Sequence, residues 1–263
     1  MPTLQVRGVE IAWSERGQGQ PAVLIHETAA TGAVWEALAT ALSERSRAIA
    51  YDRRGWGDSS APVDYRRTTV EEQSEDAAAL IEAVAGTPAL VCGAGLGAVI
   101  ALDLLLRRAD VVSGALLIEP PLLQLLPPAT EALSDDRGRL EVAAAKGEDV
   151  IEIYLSGGLP ALGSGVSRLP KEVATTARER PASVIAELGI AAGWRTPLPR
   201  LAAVEGPSAI VTAPSTPPLI RDASSELARH LAASSACEVD SGELPPHLGA
   251  ADEVAALALE LTR

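Results

Sequence analysis

Residues 89–102, A-L-V-C-G-A-G-L-G-A-V-I-A-L, read as a strand, a tight glycine turn and a helix. A turn of this kind has two chemical uses. It cradles a pyrophosphate against a helix N-terminus, or it lifts a nucleophile above the edge of a sheet. Gly93, Gly95 and Ala98 fit G-x-G-x-x-G/A, and a later strand-like run ends in an acid, Glu119. Glu119 lies 26 residues beyond Gly93, where about 20 is usual for a ribose-binding acid. The turn also follows three apparent strands, whereas nucleotide folds place it on the first. The same residues fit G-x-S-x-G with Gly95 in the serine position. Glycine has no side chain with which to attack.

Such a turn needs a sheet to hold it. L-Q-V-R-G and I-A-W-S-E read as a hairpin around Gly8. A-V-L-I-H (22–26) is a continuous apolar run, expected of a strand covered on both faces. V-W-E-A-L-A-T-A-L (34–42) has helical spacing, and R-A-I-A-Y-D (47–52) reads as a strand. Thr69 precedes Glu72 by three, a capping box that predicts a helix to about Ala85. Strand 89–92, helix 98–108 and strand 114–118 follow. Residues 120–196 are rich in Pro and Gly, with helical pieces (T-E-A-L-S-D-D-R-G-R-L-E-V-A-A-A-K, E-D-V-I-E-I-Y-L, K-E-V-A-T-T-A-R-E-R, A-S-V-I-A-E-L-G-I-A-A) and no clear strand. The alternation resumes with S-A-I-V-T-A (208–213), helix 224–233, C-E-V-D (237–240) and helix 252–261. Strand–helix alternation argues for a mostly parallel sheet covered by helices.

The composition sets limits. At 263 residues the chain is long enough for a sizeable core, and it is 47% hydrophobic. The formal net charge of −13 disfavours nucleic acid and anionic membranes as partners. Cys92 and Cys237 are the two cysteines and show no metal-ligand spacing. Two free thiols, no basic-then-apolar start and no long apolar span predict a cytoplasmic protein.

The wider pattern supports the elbow. V-L-I-H-E-T-A-A-T-G-A-V-W-E-A-L-A-T-A-L, Y-D-R-R-G-W-G-D-S-S (51–60) and L-L-I-E-P-P-L (116–122) resemble, in order and spacing, the α/β-hydrolase superfamily. The resemblance spans the whole chain. It implies an α/β fold with a mostly parallel eight-stranded sheet flanked by helices. It places the core at 1–119 and 197–263 and an inserted helical cap at 120–196.

In that family a Ser, Asp or Cys on the elbow attacks, a His takes the proton and an acid orients the His. Carried over position by position, the nucleophile is Gly95. The acid after the seventh strand becomes Ser215 or Thr216. The His position falls on Leu244, with His247 three residues on and within reach of a shifted loop. The oxyanion-loop glycine after His26 is Glu27, although the backbone N–H groups of Thr28 and Leu96 remain as donors. Plainer roles also exist. Glu27 could face solvent or pair with Arg53 or Arg54, and Glu119 could be structural. His26 would support its loop, and His230 and His247 could be surface residues. Arg53, Arg54, Trp56 and Asp58 would build a turn, and Cys92 would fill the core.

Three functions remain open. The first is a non-hydrolytic enzyme acting on a small, largely apolar substrate by cyclisation, isomerisation, elimination, dehydration or epoxide opening, in specialised metabolism. Glu27 and Glu119, with carboxyls raised by burial, would serve as acid and base beside His247. Thr28, Gly95, Leu96, Ser215, Thr216 and Leu244 would line the pocket. This reading needs no cofactor and no metal. The second is a dead hydrolase that binds a small ligand or a partner. The third is a residual or atypical hydrolase using a water-activating Glu or His, or Ser215. A homodimer is left open.

Overall fold

Arg7 and Gly8 take positive φ values of 46° and 84°. Two such residues form the turn whose twist suits a hairpin, and β1 (Thr3–Val6) folds back antiparallel on β2 (Val9–Arg16). β2 continues antiparallel against β4 (Ser46–Tyr51), and every later neighbour is parallel. The computed structural model describes residues 1–163, 166–195 and 198–262. Its sheet runs β1-β2-β4-β3-β5-β6-β7-β8, with β3 Gln20–Ile25, β5 Ala89–Ala94, β6 Val112–Ile118, β7 Ser208–Thr212 and β8 Ser234–Glu238.

Parallel neighbours need crossovers, and helices supply them. α1 (Glu36–Leu42) and α12 (Ala251–Glu260) cover one face; α2 (Val70–Leu80) and α3 (Leu96–Arg107) cover the other. Thr69 caps α2, its hydroxyl accepting from the Glu72 N–H at 3.0 Å. Past Leu80 the helix widens into a π turn that ends at Gly86, φ 71°. α3 is buried from Leu96 to Leu105, which explains its nearly all-apolar sequence. It begins at Leu96 rather than at 98, because Gly95 is its N-cap.

Between β6 and β7 come α4 (Ala129–Lys146), α5 (Val150–Leu155), α6 (Lys171–Glu179), α7 (Pro181–Glu187), α8 (Ile190–Gly193) and α9 (Leu198–Leu201), with no strand among the described residues. The expected cap boundary, 196/197, lies outside the described residues. The piece A-S-V-I-A-E-L-G-I-A-A is two helices, not one, broken where Gly189 turns left-handed at φ 81°. α10 (Pro218–His230) starts six residues before the expected 224, with Pro218 at its first position, where its missing N–H costs nothing. α11 (Pro246–Gly249) is a single turn that carries His247.

The cap packs Ile151, Tyr154, Val166, Val173 and Val184 on Ala29, Ala30 and Trp56 of the core. A buried polar knot fixes it. Glu187 accepts from Arg53 Nη1 at 2.6 Å and Nη2 at 3.0 Å, from Trp56 Nε1 at 2.8 Å and from Gln73 Nε2 at 3.1 Å. Removing one partner of a buried ion pair strands the other charge, at a cost of about 3–5 kcal/mol. Glu187→Ala is therefore expected to lower the unfolding free energy in urea by that amount. A loss below about 1 kcal/mol, the value of an exposed pair, would contradict the knot.

Candidate functional site

The strand–turn–helix at β5 and α3 puts Gly95 at φ 53°, ψ −120°, a conformation that side chains rarely adopt. The flanking glycines are explained by packing. A Cβ on Gly93 would strike the Gly97 carbonyl, and one on Gly97 would strike the Ile25 carbonyl. A Cβ on Gly95 would meet the Glu27 Cβ at 2.9 Å. The Glu27 side chain thus stands where an elbow side chain would project.

Glu27 is 7% exposed and neither carboxylate oxygen has a hydrogen-bond partner. It meets neither Arg53 nor Arg54 as an ion-pair partner, since Arg53 is taken by Glu187, and Arg54 by Asp76 (2.5 and 2.7 Å) and Glu72. Its neighbour is His247 Nε2, 3.6 Å from Oε1. Burial pushes the Glu27 carboxyl up, but His247 beside it and the Arg53 guanidinium behind it outweigh that, and the carboxyl is held below its ordinary value. The expectation of a raised carboxyl is corrected here: the charges and hydrogen-bonding groups around Glu27 favour its ionised form over the neutral one despite burial.

His247 is 1% exposed, so it is not a surface residue. Its ring lies 4.6 Å from that of Trp35, tilted by 45°. Neither ring nitrogen has a hydrogen-bond partner. Leu244, the position the resemblance gave to the histidine, is 41% exposed and contributes only its carbonyl. The helical turn of α11 carries the chain inward and brings position 247 to the site.

His26 is structural. Its Nε2 accepts from the Arg53 N–H at 3.0 Å, so Nδ1 holds the proton and donates to the Glu27 carbonyl at 2.7 Å. Burial and the Arg53 charge push its pKa well down, keeping it neutral. Asp52 shapes the adjoining turn by accepting from Gly32 N–H at 2.7 Å and Asp58 N–H at 2.8 Å. Cys92 is a core residue whose thiol burial pushes up to about 12.

Glu119 lines the same cavity but is spoken for. Arg168 of the cap donates Nη1 to both its oxygens at 2.7 and 2.8 Å, and Thr216 Oγ1 donates to Oε1 at 2.5 Å. Arg168 also donates Nη2 to Ser215 Oγ at 2.9 Å and to the Leu244 carbonyl at 3.0 Å, and Nε to the Glu243 carbonyl at 3.2 Å. Ser215, Thr216 and Leu244, expected on the pocket wall, belong to this latch and not to the cavity lining. Glu119, expected as a free acid or base, is an anchor for the cap.

The cavity, about 120 Å³, lies between the strand ends and the cap. Glu27, Thr28, Gly95, Leu96 and His247 form its floor, under Tyr154, Leu162, Val166, Leu188 and Ile220. The N–H groups of Thr28 and Leu96 have no acceptor among the described residues. Sequence reasoning missed Tyr154, Glu187 and Arg168. Tyr154, Arg168 and Glu187 are lone residues in cap segments without any motif. Burial pushes the Tyr154 phenol above its ordinary value, with the Glu187 and Glu27 charges adding to it, so it remains a proton-bearing donor. Among the described residues no group of three His, Cys, Asp or Glu could hold a metal ion, and no helix is long and apolar enough to cross a membrane.

Known proteins share this architecture. A curated relative, the uncharacterized hydrolase YraK of Bacillus subtilis, is 36% identical over 124 residues, 47% of this chain and 46% of YraK. The 2-(acetamidomethylene)succinate hydrolase of Mesorhizobium japonicum is 30% identical over 162 residues, 60% of this chain and 55% of the relative. The chain thus spans about half the length of the curated relatives it matches. Among solved structures, an alpha/beta hydrolase from Sphaerobacter thermophilus superimposes with a TM-score of 0.73 at 26% identity, covering 100% of both chains. The pattern of the alpha/beta hydrolase family matches residues 22–257, sheet and cap together, and the chain belongs to that family.

Proposed function

We propose that this chain is a non-hydrolytic member of its family that moves a proton within a small, largely apolar carbonyl compound, isomerising it. One observation carries the reading. A buried carboxylate without a hydrogen-bond partner faces a covered cavity, beside a histidine and two free backbone N–H groups, at the spot an attacking side chain would need. Buried polar atoms left unpaired are costly, and a bound substrate relieves that cost.

Glu27 takes a proton from the carbon beside the carbonyl. The electron pair of that C–H bond moves toward the carbonyl oxygen, which the Thr28 and Leu96 N–H groups and the N-terminus of α3 stabilise. Glu27 then returns the proton to a second carbon. Substrate and product have the same atoms, and Glu27 ends as it began. His247 keeps Glu27 ionised between turnovers, and Tyr154 closes the cavity from above. An acyl-enzyme route has no atom at position 95 to form it. The hydrolase names of the relatives describe those proteins.

A β,γ-unsaturated cyclohexenone is a suitable probe, because its conjugated isomer absorbs in the ultraviolet. Positioned acid–base groups contribute about 10²–10⁴ in rate, so Glu27→Gln should lower kcat by that factor. p-Nitrophenyl acetate should hydrolyse at background. Isomerisation unchanged in Glu27→Gln, or a burst of nitrophenol, would sink the proposal.

The pH profile has a definite sign. The carboxyl of Glu27 is lowered in the folded protein, so its base form persists from neutrality to below the ordinary value of about 4.3. His247, Arg53 and Tyr154 are the charged or titratable groups around it. Activity that depends on the Glu27 base should therefore fall only below that value. A half-loss near pH 6 that Glu27→Gln abolishes would contradict it.

Gly95→Ser is expected to gain no esterase activity. Its Cβ collides with that of Glu27, and the strained backbone should cost about 1–3 kcal/mol in thermal unfolding. Ester turnover by that variant would show that Glu27 yields the space.

A further inference from the structure

The cavity has an unusual charge inventory. Its ionisable lining consists of Glu27, Glu119, Glu187, His247 and Tyr154; no Lys or Arg among the described residues lines it. Two guanidinium groups lie behind the wall, and each is engaged by partners of its own. Arg168 spends its donors on both oxygens of Glu119, on Ser215 Oγ and on the carbonyls of Glu243 and Leu244. Arg53 spends its donors on the His26 carbonyl, Gln73 and both oxygens of Glu187. Guanidinium offers five N–H donors; Arg168 uses all five, and Arg53 uses four and is itself buried at 1% exposure, so a ligand carboxylate or phosphate meets no arginine on the cavity wall. His247 is already beside Glu27, 3.6 Å away.

Among the cavity's side chains, both oxygens of Glu27 and both ring nitrogens of His247 are without a hydrogen-bond partner. Besides His247, the donors are the uncharged Thr28 and Leu96 N–H groups and the Tyr154 hydroxyl, which has no partner among the described residues. Neutral donors match a carbonyl oxygen. The apolar side chains of the cap match a hydrocarbon body. An anion placed there would lie against the buried Glu27 carboxylate, where like charges repel.

We infer that the cavity selects an uncharged carbonyl ligand and rejects carboxylates and phosphates, with Glu27 and the lack of any arginine or lysine on the described wall as the cause. The inference rests on the proposed function only in placing ligand and chemistry in the same cavity. It separates this chain from its relative named for a succinate derivative, a compound class that carries carboxylate.

The test is binding alone. Cyclohexanone, cyclohexanecarboxylate and cyclohexylamine share one ring and differ in charge, and saturation-transfer NMR at pH 7.5 ranks them on the intact protein. Cyclohexanone should bind about a hundredfold more tightly than the carboxylate. Glu27→Gln removes the repelling charge and keeps the shape, so it should improve carboxylate binding about tenfold and leave the ketone within about threefold. Carboxylate binding as strong as the ketone's, tighter binding of the amine, or no binding of the ketone would each overturn the inference. An unchanged carboxylate affinity in Glu27→Gln would overturn the role of Glu27. Selective ketone binding without any isomerisation would sustain this inference while overturning the proposed function.

Discussion

The guanidinium of Arg53 joins parts of the chain that lie far apart in sequence. Its Nε donates to the His26 carbonyl at the end of β3, and its backbone N–H fixes the His26 ring. Its two terminal nitrogens reach Gln73 on α2 and Glu187 on the cap. The loop that carries Glu27 and the helix that roofs the cavity therefore depend on one buried charge. Burial alone would destabilise that charge; the Glu187 carboxylate more than offsets the effect and keeps Arg53 raised above its ordinary value. Cap and floor are in this way positioned by one centre.

The reactive groups have been redistributed relative to the family's usual arrangement. Position 95 has no side chain, and the space is filled from β3 by Glu27. The loop after β7, which would supply an acid, supplies Ser215 and Thr216 to the Arg168 latch. The loop after β8 gives its carbonyls at Glu243 and Leu244 to the same arginine before turning inward at α11. A cap residue thus ties together the loops that follow β7 and β8. The residue that reaches the floor, His247, meets a carboxylate rather than an attacking hydroxyl.

Much of this was legible in the sequence for physical reasons. Strands buried on both faces read as apolar runs, Thr69 and Glu72 announced a helix start, and the glycines of residues 93–97 marked the turn. The membership of Glu27 and Gly95 in one site followed from chain order. Other features depend on contacts far apart in sequence. Arg168 meets Glu119 across 49 positions, and Arg53 meets Glu187 across 134. No local pattern encodes such pairings. The direction of the Glu27 carboxyl was misread although His247 was expected nearby, because burial was weighed and the combined effect of His247 and the distant Arg53 was not. The start of α10 was missed because Pro217 and Pro218 read as loop residues, although proline suits the first turn of a helix.

Gly93 and Gly97 leave the chain no freedom. Each yields room that a neighbouring carbonyl already fills, one inside the turn and one from β3. Their requirement is steric and is indifferent to what occupies the residue between them. The spacing of these glycines therefore reports how closely the turn packs against β3 and carries no information about position 95, where this chain has no side chain.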